Sequence, residues 1–130
     1  MSALPPVLDE HFRNPRSAGV LPGANARGRG GNPACGDLLV LELRIEGERV
    51  LAAGFQARAC SAVIACASLL CARLCEPGTS VDVARSLDLE ALVQAAGGLP
   101  RQRAHATRVC MRALSEALRA GGSDASAASL

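Results

Sequence analysis

The chain lacks Trp and Tyr and has only two Phe in 130 residues, so a hydrophobic content of 49% implies an interior built from Ala, Leu and Val. It also lacks an excess of charge: the formal net charge is +2, and Arg alternates with Asp and Glu through most of the chain. A balance that small and dispersed excludes a nucleic-acid surface of the usual strongly basic kind. No apolar run reaches the about 18 residues that a membrane span needs. The segment Met1-Ser2-Ala3-Leu4-Pro5-Pro6 lacks the basic-then-apolar layout of a signal peptide. A cytoplasmic protein is therefore expected, with its six Cys as reduced thiols rather than a disulfide framework. Phosphate-binding signatures are missing too. Gly28-Arg29-Gly30-Gly31 is glycine-rich, but no Gly-Lys-Ser/Thr follows it and no G-x-G-x-x-G joins a strand to a helix.

What is present suits one domain with a core of its own. Residues 7–13 read as one or two helical turns stopped by Asn14-Pro15. Ser17 to Asn32 is rich in Gly, Ala and Arg without periodicity, and residues 17–34 are expected to form a long mobile loop. Asp37 to Glu46 alternates, with Leu41, Leu43 and Ile45 on one face and Glu42 and Arg44 on the other, the pattern of a half-buried strand. Glu46-Gly47-Glu48 is a hairpin turn and Arg49 to Arg58 the returning strand.

Ala62 to Cys75 is apolar almost all round and reads as a buried helix, with Cys66, Cys71 and Cys75 acting as small hydrophobes. Ser80 and Asp88 are N-caps for short helices over 81–85 and 89–96. Gly97-Gly98-Leu99-Pro100 breaks the chain before a last helix from Gln102 to Ala120, whose stripe is Val109, Cys110, Ala113, Leu114, Ala117 and Leu118. Residues 1–120 form the expected domain, and 121–130, small and polar, a disordered tail. Strands early and helices late indicate an α+β fold: a small antiparallel sheet of about three strands with helices packed on one face.

Two cysteines stand apart from the rest. Cys35 lies in Gly31-Asn32-Pro33-Ala34-Cys35-Gly36-Asp37, a Pro–Gly-bracketed turn that holds a thiol two residues from a carboxylate. Cys60 follows the returning strand and precedes a helix, so it comes back to the same end of the sheet. Soft and hard donors meeting at one edge suggest a metal-binding or sulfur-handling site. Arg101, Arg103 and Arg108 cluster near the start of the last helix, where either solvation or a docking surface explains them.

Four ordered segments resemble the U-type (NifU/IscU-like) iron–sulfur cluster assembly scaffolds, over roughly residues 8–119. They are His11-Phe12-Arg13-Asn14-Pro15-Arg16-Ser17-Ala18-Gly19, Asn32-Pro33-Ala34-Cys35-Gly36-Asp37, Phe55 through Ser68, and Leu99-Pro100 followed by His105. The resemblance implies a cluster site at the domain's tip, ringed by three Cys and one Asp. By position Cys35, Asp37 and Cys60 supply two of those cysteines and the aspartate, and His105 falls on a His that often precedes the third cysteine. The third place is Ala106 in the frame set by Leu99-Pro100 and Ala113-Leu114, and the glycines usual before the second cysteine are Ala57 and Ala59. Sliding the last helix by one turn puts Cys110 in the third place instead. Four residues of helix span about 6 Å, against a metal–sulfur bond of about 2.3 Å, and the first frame is preferred because it needs no gap. The candidate ligands are thus Cys35, Asp37, Cys60 and His105, with Cys110 in the second frame.

The resemblance implies a scaffold that assembles and transfers a labile iron–sulfur cluster, a transient [2Fe–2S] unit or Zn²⁺, from a site altered at the third cysteine. Such a scaffold is a template rather than an enzyme. Its implied partners are a cysteine desulfurase, acceptor apoproteins and an Hsp70-type chaperone. The chaperone's motif is reduced here to Leu99-Pro100, with Arg103 where Lys is usual. A zinc-binding sulfurtransferase that accepts persulfide sulfur from the desulfurase is the alternative. Zinc-type members usually carry an insertion before the third site, for which the run from Cys60 to Ala106 leaves no room. An interaction protein without metal is a third reading.

Overall fold

Alternating Leu residues decide where the core lies. In a computed structural model, which describes residues 4–32, 34 and 36–124, Leu39, Leu41 and Leu43 are all 0% exposed. They sit on one face of strand β2 (Asp37–Glu46), which pairs antiparallel with β3 (Arg49–Arg58) and β1 (Ala26–Asn32) in the order β1-β2-β3. Gly47 turns the β2–β3 hairpin at φ +59, a left-handed backbone that glycine adopts without strain. The register slips between Arg44 and Ile45, leaving Leu51 as the extra residue of a bulge.

The helices are α1 (Pro6–Arg13), α2 (Ser61–Leu74), α3 (Val81–Arg85), α4 (Leu89–Ala95) and α5 (His105–Asp124), with a 3-10 turn at Arg101–Arg103. The α+β fold expected from the sequence is the one observed. α2 is apolar all round because α1, α4, α5 and β3 all pack against it. Ser80 and Asp88 cap α3 and α4 as expected, accepting from the backbone N–H of Val83 at 3.0 Å and Ala91 at 3.1 Å. None of the described helices is long and apolar enough to cross a membrane.

The expected loop at 17–34 is corrected: its second half is β1, the third strand. Ala26, Gly28 and Gly30 face the core while Arg27 and Arg29 face out. A Cβ on Gly28 would lie 2.0 Å from the Ala113 carbonyl oxygen, and one on Gly30 would lie 1.9 Å from that of Val109. The glycines let α5 lie directly on the strand backbone, the use of strand glycine that composition alone reads as loop. The first half of the segment is tied down as well. Gly19 N–H donates to the Phe55 carbonyl at 2.8 Å, and Phe55 N–H to that of Ser17 at 3.0 Å. Leu21 N–H donates to Glu42 Oε1 at 3.0 Å, and Arg27 pairs with Glu42 Oε2 at 2.7 Å across the β1–β2 ladder. These bonds satisfy a buried carboxylate and hold it below the usual carboxylate range, with the Leu21 amide the larger cause.

Two further corrections concern helix ends. α5 runs on to Asp124, past the expected stop at Ala120, and only 125–130 of the expected tail lie outside the described residues. Cys75 is exposed at the C-cap of α2 rather than part of the core.

Candidate metal centre

Three chain segments deliver donor atoms to one point. Asp37 opens β2 on the same face as Leu39 and Leu41, and is 8% exposed. Cys60 is the residue between β3 and α2; its extended backbone (φ −70, ψ 167) makes it the N-cap. Its side chain makes no capping bond, so the sulfur stays available. His105 is the first residue of α5, set in place by the 3-10 turn, whose Arg103 N–H donates to the Pro100 carbonyl at 2.9 Å.

Asp37 holds the other two. Its Oδ1 accepts the Cys60 backbone N–H at 3.3 Å, and its Oδ2 lies 3.0 Å from His105 Nε2. One ligating atom from each of Asp37, Cys60 and His105 lies within 4.8 Å of the others. α2 and α5 both begin here, so the positive ends of two helix dipoles favour negative charge at the carboxylate and sulfur. Thiolate, carboxylate and imidazole are the donor types that zinc and cluster iron accept.

The remaining expected ligands divide. Cys35 lies outside the described residues, so its expected approach to Cys60 is not described either. Its neighbours Ala34 and Gly36 are in the turn between β1 and β2, with Gly36 at φ +72. Cys110 does not join the group. It is 0% exposed, and its thiol reaches the Val63 carbonyl at 3.8 Å. α5 begins at His105, three residues after the expected start at Gln102, and Ala106, the third place in the preferred frame, is itself 0% exposed. Cys110 is then carried about 7.5 Å along the helix into the core. Burial pushes its thiol well above the ordinary range, with Cys66, Cys71 and Cys60 adding to the effect. Burial likewise pushes Cys66 up to about 12 and raises Cys71 further.

A buried polar knot behind the site carried no signal in the sequence periodicity. His11 Nδ1 lies 2.7 Å from Ser68 Oγ, which also accepts the Arg16 backbone N–H at 2.7 Å. Burial and then the Arg16 charge hold the imidazole below its ordinary value, in keeping with a neutral ring.

Fold and tip together define a small α+β domain that offers sulfur, oxygen and nitrogen donors at one end of its sheet. The chain matches the family described as NifU-like N terminal domain over residues 5–122, and it belongs to that family. It is similar to the iron-sulfur cluster assembly scaffold protein IscU 1 of Archaeoglobus fulgidus, with 34% identity over 109 residues, 84% of this chain and 70% of that relative. It is also similar to the zinc-dependent sulfurtransferase SufU of Bacillus subtilis, with 36% identity over 64 residues, covering 49% of this chain and 43% of that one. In fold it resembles a crystal structure from Fervidobacterium islandicum, described as a proposed iron-sulfur cluster assembly scaffold protein for the SUF system. That likeness has a TM-score of 0.70 at 14% identity, over 87% of this chain and 94% of the other.

Proposed function

We propose that this chain is a scaffold on which a labile iron–sulfur cluster is assembled and from which it is transferred, with Cys35, Asp37, Cys60 and His105 as ligands. The observation that carries the reading is the meeting of Asp37, Cys60 and His105 donors within 4.8 Å. These residues lie far apart in the chain, and membership of the NifU-like family supports the same reading. Cys35 stands two residues before Asp37 and completes a set of four. Two thiolates, a carboxylate and an imidazole hold a [2Fe–2S] unit less tightly than an all-thiolate set, which suits a cargo meant to leave. Asp37 is the exchangeable member, because it has the Cys60 amide and His105 to return to when metal departs.

Sulfur reaches such a site as persulfide. A thiolate here attacks the outer sulfur of the donor's persulfide; the donor's S–S bond breaks and its thiolate leaves, with no net oxidation. Among the described cysteines Cys60 fits this role. Cys66, Cys71 and Cys110 are fully buried, and Cys75 lies at the far end of α2, about 20 Å along its axis. The partners called for are a cysteine desulfurase, acceptor apoproteins and an Hsp70-type chaperone at Leu99–Arg103, in the cytoplasm.

The mixed donor set also suits a second reading, a zinc-binding sulfurtransferase, since Asp37, Cys60 and His105 with Cys35 make up four donors of the types that zinc accepts. Likeness to the Bacillus subtilis protein over half of the chain supports it. Anaerobic reconstitution with iron and sulfide separates the two. A chain without Trp or Tyr gives almost no background, so cluster absorption that disappears in Cys60→Ser and in His105→Ala is the expected result. Stoichiometric zinc with no cluster uptake replaces the first reading by the second, and retention of neither rejects both.

A further inference from the structure

The backbone that carries His105 is loosely tethered on its N-terminal side. It is reached from α4 through Gly97 and Gly98, at φ +111 and +82, and then through the 3-10 turn Arg101–Arg103, none of whose residues is buried. Ala104, the residue before α5, has no side-chain acceptor for the free N–H groups of the first turn. A helix start of this kind frays unless tertiary contacts hold it. Yet His105 Nε2 stands 3.0 Å from Asp37 Oδ2, a placement that needs a fixed first turn.

The hold comes from the other side of the ligand. Thr107 is 4% exposed, and its Oγ1 donates to Glu90 Oε1 at 3.0 Å and lies 3.3 Å from the Ala104 carbonyl oxygen. An ionised carboxylate only accepts, so the bond to Glu90 is charge-assisted and the stronger of the two. Glu90 belongs to α4, which is itself well anchored: Asp88 caps it, and Leu89 and Val93 are buried in the core. The Ala104 carbonyl alone would satisfy the hydroxyl within its own turn. Reaching Glu90, seventeen positions earlier, makes the bond a tie between two helices. Ala104 and Thr107 bracket His105, so one hydroxyl fastens the stretch bearing the imidazole to a packed helix.

We propose that Thr107 and Glu90 are positioning residues for His105. Their bond holds the first turn of α5 in place and so keeps Nε2 at the site shared with Asp37 and Cys60. The inference rests on the metal-site reading above, in which His105 is a ligand. Neither residue touches the metal position; both act through the backbone on either side of the imidazole, where small displacements weaken a site.

The full chain is loaded with Zn²⁺, and its release to an excess of coloured chelator is timed. Thr107→Val and Glu90→Ala should each release zinc about five- to tenfold faster than wild type. The double variant should be no faster than either single one, since both remove the same bond. Thr107→Ser, which keeps the hydroxyl, should restore the wild-type rate. Ser80→Ala removes a cap from α3 and touches nothing in α5, so it should leave the rate unchanged and separates positioning from a general loss of stability. In the metal-free chain, the amides of Arg108 and Val109, the first that α5 bonds internally, should exchange faster with solvent in Thr107→Val and Glu90→Ala. Wild-type release from Thr107→Val, additive effects in the double variant, or equal acceleration by Ser80→Ala overturns the proposal. A wild-type chain that takes up no zinc is a failure of the site rather than of the tie, and faster or unchanged exchange of the two amides then upholds or overturns the tie.

Discussion

Apart from the exposed Cys75, the described cysteines fall into two settings. At the tip, Cys60 is half-buried at a helix start beside Asp37 and His105, polar groups that are already paired. In the core, Cys66, Cys71 and Cys110 are 0% exposed, and burial holds each as a neutral thiol. His105 and Cys110 belong to the same helix, little more than one turn apart. Position relative to water and to a neighbouring carboxylate, rather than residue type, separates a ligand from a packing group.

The contrast depends on α5 lying flat on β1, and the strongest way to break it is Gly30→Val. A side chain there collides with the Val109 carbonyl, so α5 must lift and both His105 and Cys110 must move. A loss of about 3 kcal/mol or more is expected in urea unfolding. Wild-type stability in that variant would mean that the two surfaces are less closely packed than described.

Exchanging the two settings is the next test. Cys60→Ser should abolish cluster or zinc retention while changing stability by less than about 1 kcal/mol. Cys110→Ala should do the reverse, costing about 1–2 kcal/mol for the cavity while leaving metal content unchanged. Metal lost from Cys110→Ala with its fold intact would return Cys110 to the ligand set.

Alkali sharpens the comparison. Because the Cys66 thiol is pushed from 9.0 up to about 12, the folded state keeps a proton that the unfolded chain releases. Stability should therefore be complete below pH 9 and fall as pH rises toward 12, in the same direction as the effects of Cys71 and Cys110. Cys66→Ala should flatten that slope. At pH 8 iodoacetamide should modify Cys60 and Cys75 readily and the three core thiols only in denaturant.

The smallest effect belongs to acid. His11 is held below its ordinary 6.5 by burial and by Arg16, against the opposing charge of Glu10, so the unfolded chain takes up its proton first. Stability should decline as pH falls through 6.5. His11→Gln should remove that part of the pH profile.

Much of this was readable in the chain, and the exceptions share a cause. β2 and β3 alternate so plainly that their limits at Asp37–Glu46 and Arg49–Arg58 match the expectation. β1 alternates as well, but between Gly and Arg, and what its inner face packs against is helix backbone rather than a side chain. The period-two signal was present without the hydrophobic residues that usually reveal it. At the site, Asp37 and Cys60 stood out in the chain itself and His105 was named from a family resemblance; their donor atoms do converge. The choice between Ala106 and Cys110 was open because both lie on one helix face.

Local pattern by itself determined the helices, their Ser80 and Asp88 caps and the central hairpin, since propensity, periodicity and capping act over a few neighbouring residues. Only tertiary packing decided that a glycine-rich stretch is a strand, that Cys75 is exposed while Cys110 is sealed, and that Asp37 faces His105 across the tip. Those outcomes depend on how closely α5 approaches β1 and on which surfaces are left to water, quantities set by residues more than sixty positions apart in the chain.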